Sequence, residues 1–241
     1  MRILLSHPIW KRLYGPYGVT NVSSALEQLL HEWDDNLAIS LFWEELHHQG
    51  DLYPITYAAL PWLWHATQEL PSRSVEALFF FSCVLKCAAY ADASFEGKEN
   101  YSGELRGLSL CQKDHAHPWL SDELRLTVED LEILNALKGW FEQTAPIIAE
   151  ACLASCEGRK QSEVAALISG PVVWKGSTHL ADAIQLWGDG ETFEEAVEGE
   201  PSSQDLAVAN HVMERFSKID AELCVFLQEY IAFKGGGKAD K

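Results

Sequence analysis

Apolar residues recur at helical spacing along almost the whole chain. "SSALEQLLHEW" carries Ser24 and Glu27 at capping-box spacing and predicts a first helix to about Trp33. Asp34 and Asp35 are placed to cap a second helix, "NLAISLFWEELHHQ". There Ile39, Phe42, Trp43 and Leu46 stand at i, i+3, i+4 and i+7, the spacing of one apolar face. Gly50 follows the last periodic residue, where a left-handed residue ends a helix, and Pro54 suits the first turn of the next. That third helix, 54–69, is apolar nearly all round, which predicts burial on every side, with a bend at Pro61. A fourth helix is expected over 74–93.

Residues 94–120 break the pattern, with a polar loop "SFEGKENYSGE" and an irregular "CQKDHAHPW". Helices are expected again over 121–143, from Pro146 to 156, over 161–168, and around "HLADAIQLW". The last helix, 204–233, is the longest. Its stripe is Ala209, Val212, Met213, Phe216, Leu223, Leu227 and Tyr230. No segment alternates as a half-buried strand does. The pattern predicts an all-α fold, an irregular array of antiparallel helix hairpins (an α-α superhelix). The expected organisation is one helical domain, 1–234, and a disordered tail, "GGGKADK", at 235–241.

"LFWEELHHQGDLYPITYAALPWL" resembles a segment of bacterial HEAT-like helical proteins. The matching residues are Leu46, His48, Gln49, Gly50, Tyr53, Thr56, Ala58, Ala59, Pro61 and Leu63. The helix pairs at 24–49 and 54–93 also lie near the repeat pitch of about 40 residues in such arrays. The resemblance implies a binding scaffold, and some proteins of this kind resemble immunity proteins that neutralise toxins of neighbouring bacteria.

Charge sharpens that picture. Eighteen Lys and Arg face 36 Asp and Glu, a net −18. Direct nucleic-acid binding needs a basic footprint, and an anionic membrane surface attracts basic segments, so neither is expected. No lysine or arginine lies between Arg12 and Arg73, or between Lys175 and Arg215. The first window holds Asp34, Asp35, Glu44, Glu45 and Asp51; the second holds Glu191, Glu194, Glu195 and Glu198. These nine residues are the expected partner-binding set. Two readings of the windows stay open: a basic protein partner, or acidity that serves solubility alone.

Candidate chemistry is sparse. Pro8 interrupts the short apolar run at the N-terminus, so no signal peptide is expected, and no stretch is long enough to span a bilayer. Cys83/Cys87 and Cys152/Cys156, each four apart, read as buried small residues of a reduced, cytoplasmic protein. On a helix, His47 and His48 would diverge by about 100° and could not readily ligate one metal. They read as part of a corner in which His48 and Gln49 bond the helix end and the Asp51–Tyr53 turn. His115 and His117, with Cys111 and Asp114 nearby, have a better metal spacing. "GDGETFEE" lacks the ligand alternation of a calcium loop and reads as a turn leading into an acidic helix. No nucleophile elbow, phosphate loop or Rossmann glycine set is present.

The expected function is therefore a non-enzymatic, cytoplasmic protein-binding scaffold without a cofactor. In its sharpest form it is an immunity protein for a basic toxin such as a nuclease. Its carboxylates would fill the toxin's cationic groove, and Trp or Tyr anchors would supply the desolvated contacts. The alternative is an α-helical metal-dependent hydrolase using the His and Asp residues of the loops.

Overall fold

The computed structural model describes residues 1–48, 50–70, 73–93, 126–191 and 199–233. It is mostly helical and belongs to the all-α class. The chain divides into two compact units. One comprises Met1–Phe80 with Tyr90–Ile147, the other Phe81–Ala89 with Ile148–Lys241.

In the first unit a 3-10 turn, Pro8–Lys11, leads to a small antiparallel ribbon of β1 (Tyr14–Gly15) and β2 (Gly18–Val19). Helices α1 (Ser23–His31) and α2 (Asp35–Ser40) follow. A single π-helical turn, Leu41–Glu45, then runs into a second ribbon, β3 (His47–His48) with β4 (Asp51–Leu52). Helix α3 (Pro54–Gln68) is the centre of this unit, and every residue from Pro54 to Pro61 is buried. The apolar-all-round pattern thus has its expected consequence. Around it the Trp10 and Trp62 indole N–H groups donate to the Leu4 and Ile3 carbonyls, at 2.9 and 2.8 Å, pinning the N-terminal segment. The Arg12 guanidinium forks onto buried Asp130 at 2.7 and 2.6 Å. Burial opposes the Asp130 charge, but Arg12 and the Thr127 amide and hydroxyl outweigh it and hold the carboxyl below its ordinary range.

Helix α4 (Val75–Ala93) and helix α5 (Val128–Ala154) each contribute to both units. The second unit adds α6 (Gln161–Trp174), α7 (Thr178–Gly188), α8 (Ser203–Phe216) and α9 (Ala221–Ala232). Helix α6 packs on α7, and α8 packs on both α9 and α7. Buried Asp205 joins two helix starts. It accepts from the hydroxyl of Ser177, which precedes α7, at 2.5 Å. It also accepts from the amide and hydroxyl of Ser202, the N-cap of α8, at 2.8 and 2.5 Å. Burial would raise its pKa, but the hydrogen bonds of Ser177 and Ser202, with His179 nearby, hold it below the usual carboxylate range.

Several boundaries differ from the sequence reading, each for a local reason. Helix α1 begins at Ser23 without a Ser24 cap; instead the Asn21 side chain accepts from the Ser23 amide and hydroxyl. The stretch expected as one helix over 36–49 changes into the π turn and then the β3–β4 ribbon. Gly50 has the expected left-handed φ, +92°, but it serves that ribbon rather than a helix end. The Thr56 hydroxyl closes the corner, donating to the Leu46 carbonyl at 2.5 Å and accepting from the Tyr53 amide at 2.9 Å.

Helix α5 runs unbroken through Pro146. Glu142, whose carbonyl loses its intrahelical donor there, is exposed and can be solvated. Helix α6 runs through Gly170 and Pro171, where the sequence reading ends it. The Ser82 hydroxyl repairs the break. It donates to the Ala166 carbonyl at 2.6 Å, lies 3.2 Å from the Leu167 carbonyl, and accepts from the Gly170 amide at 3.1 Å. The last helix divides in two because the Asp220 side chain accepts from the Leu223 amide at 2.9 Å and starts α9. The fourth helix begins at Val75, close to expectation, and the residues after Ala93 lie outside the described part. Residues 235–241 lie outside the described part.

Candidate functional site

The first acidic window lies in the first unit, and the structure shows how its residues are held. Asp34 is exposed and caps α2, accepting from the amides of Asn36 and Leu37 at 2.8 and 3.2 Å. Asp35, also exposed, accepts from the Ser74 hydroxyl at 2.6 Å and the Trp33 indole at 2.8 Å. Those two bonds lower its pKa, Ser74 contributing most, so it stays charged well below neutral pH. Glu44 is exposed and accepts from the Ser40 hydroxyl at 2.8 Å. Glu45 is half-buried, and its carbonyl sits against Gly15, where a β-carbon would not fit. Asp51 is in β4, and its side chain lies outside the described residues.

The π turn decides which apolar groups join the core. A π turn holds one more residue than an α turn, and here the Leu46 amide donates to the Leu41 carbonyl at 3.1 Å. Leu41, Phe42 and Leu46 are buried, and Phe42 stacks on Phe80 with ring centroids 4.4 Å apart. Ile39 and Trp43, expected on the same face, stay at the rim, 36% and 37% exposed. Trp43 is steadied edge-on against Phe80 at 5.9 Å and against His47 at 5.4 Å. The rim of this element therefore carries a half-exposed indole next in sequence to an anchored carboxylate, Glu44.

His47 and His48 are not a helical pair. In the two-residue strand their side chains leave opposite faces. The His47 Nε2 accepts from the Gly50 amide at 3.2 Å. The His48 Nδ1 lies 3.2 Å from the hydroxyl of Tyr17, whose ring is 75% exposed and packs edge-on at 5.5 Å. The expected bonding of a helix end by His48 thus gives way to a bridge between the two ribbons. Sequence reasoning missed Tyr17, because nothing near it signals that β1–β2 meets β3–β4.

Of the second window, Glu191 is exposed and follows a turn in which Gly190 has φ +86°. The Glu191 amide donates to the Leu186 carbonyl at 3.0 Å, so "GDGE" forms a turn that closes α7, and the acidic helix expected after it lies outside the described residues. Glu194, Glu195 and Glu198 lie outside the described residues. So do Cys111, Asp114, His115 and His117, on which the hydrolase alternative rests. Among the described residues no helix is long and apolar enough to cross a membrane. Compared with family models, curated proteins and solved structures, the chain matches none of them.

Proposed function

We propose that the chain is a non-enzymatic protein-binding scaffold, a HEAT-like array whose acidic surface receives a basic protein. In its sharpest form it is a cytoplasmic immunity protein that neutralises a basic toxin such as a nuclease. The observation that carries this reading is the α2–π–β3 stretch. It exposes Asp34, Asp35 and Glu44 and leaves Trp43 half-exposed, within a sequence window that has no lysine or arginine. Carboxylates held by hydrogen bonds need little reordering on binding, and an indole wedged against Phe80 and His47 loses little rotamer freedom. Such a surface suits a partner that offers positive charge and a pocket for an aromatic anchor.

The test is co-expression of the chain with the protein encoded beside its gene, followed by purification of the complex. A basic partner whose toxicity the chain suppresses is the expected result. Lysine substitutions of Glu191, Glu194, Glu195 and Glu198, set beside the same change at Asp34, Asp35, Glu44 and Glu45, assign the contact to a window. A stable complex with an acidic protein contradicts the reading.

A further inference from the structure

The two cysteine pairs spaced four apart are built differently. Cys152 and Cys156 are both buried, and the Cys156 thiol, just past the end of α5, donates to the Cys152 carbonyl at 3.4 Å. Burial pushes the Cys156 thiol up to about 12 despite the nearby arginines Arg215 and Arg159, which keeps it protonated. On α4, in the second unit, the sulfur atoms of Cys83 and Cys87 instead face each other at 3.8 Å. Cys87 is buried, but Cys83 is only half-buried, contrary to the expectation that all four cysteines are enclosed.

Two thiolates on one tetrahedral zinc, each about 2.3 Å from the metal, lie about 3.8 Å apart. The α4 pair already has that spacing, and Cys83 is only half-buried. Lys86, between them in sequence, is drawn to α7, where its ammonium lies 3.6 Å from Asp182 and bonds the Gln185 amide oxygen. We propose that Cys83 and Cys87 form a dithiolate site for a soft divalent cation of the zinc and cadmium class. Binding breaks two S–H bonds, forms two metal–sulfur bonds and releases two protons to solvent, with no change of oxidation state. Solvent or an added ligand completes the coordination. The test of this site does not involve the partner, so its outcome is separate from that of the proposed function.

The experiment titrates cadmium into the full chain carrying Cys111→Ser and Cys224→Ser, so that those two thiols do not contribute. The expected result is a thiolate-to-cadmium charge-transfer band that saturates at one equivalent, with release of two protons, and zinc displacing the cadmium. Adding Cys83→Ser should abolish the band, whereas adding Cys156→Ser should leave it. A second readout needs no further variant: zinc should slow alkylation of Cys83 by about tenfold or more, read by peptide mass spectrometry. No saturable band, a band that survives Cys83→Ser, or alkylation indifferent to zinc would each show that the two sulfurs are merely packed together.

Discussion

Replacing Gly170 with alanine should destabilise the protein by about 3 kcal/mol or more, the upper range for overpacking a core. A β-carbon at Gly170 falls well inside contact distance of the Ser82 backbone carbonyl, and backbone cannot rotate away as a flexible side chain would. Both residues are buried in the second unit. The same crossing carries the Ser82 hydroxyl, which bonds the Ala166 carbonyl and the Gly170 amide just before Pro171. Ser82→Ala should therefore cost less, about 1–3 kcal/mol, because it removes the buried hydroxyl that bonds the Gly170 amide and the Ala166 carbonyl without adding a clash. Urea unfolding followed by circular dichroism measures both. Equal stability of Gly170→Ala and the parent chain would mean that α4 and α6 do not cross at this glycine.

Asp205→Ala should cost about 3 kcal/mol at neutral pH. The change removes a buried carboxylate that accepts three bonds from Ser177 and Ser202 and binds the starts of α7 and α8 together. The pH dependence follows from the direction of its shift. The folded carboxyl titrates below its unfolded value, so its stabilisation is complete above the ordinary carboxylate range. It is lost as pH falls through the lowered native value. Asp130, lowered by Arg12 and Thr127, contributes with the same sign. Stability should therefore drop steeply on acidification below the usual carboxylate pKa, and the drop should be shallower in Asp205→Ala. Unfolding midpoints measured from neutral to acid pH check this; parallel curves for the two chains would contradict it.

The features legible in the sequence are those whose causes are local. Asp34 precedes an apolar repeat and caps it. The apolar run from Ile55 to Trp64 forms the buried helix it implies, with Pro54 at its first turn. Gly50 has the left-handed backbone its position suggests. The features that escaped depend on distant partners. Nothing near Pro171 announces that Ser82, 88 residues from Gly170, will bond the Gly170 amide there. The β3–β4 ribbon depends on Thr56 bonding the Leu46 carbonyl, ten residues back. The split of the last helix was within reach, since Asp220 followed by an acidic first turn is a helix-start signal. For the candidate site, the absence of cations was readable as composition. Which side chains reach the rim was not, because the π turn sends Phe42 inward and leaves Trp43 outside. The closeness of the Cys83 and Cys87 sulfurs followed from their spacing, but their orientation did not.

The central claim is that the acidic, aromatic rim of the α2–π–β3 stretch draws in a basic protein. The most direct measurement is the association rate with the co-purified partner as ionic strength rises, for the parent chain and for Asp34, Asp35, Glu44 and Glu45 changed to lysine. Steering by opposite charge predicts fast association that slows steeply with salt, and a loss of about tenfold or more in the variant at low salt. Losing the Asp34 cap costs about 1 kcal/mol of stability, so the pair Glu44→Lys and Glu45→Lys, which keeps the cap, is measured beside it. Association rates that are insensitive to salt and identical in the parent and both variants would contradict the claim.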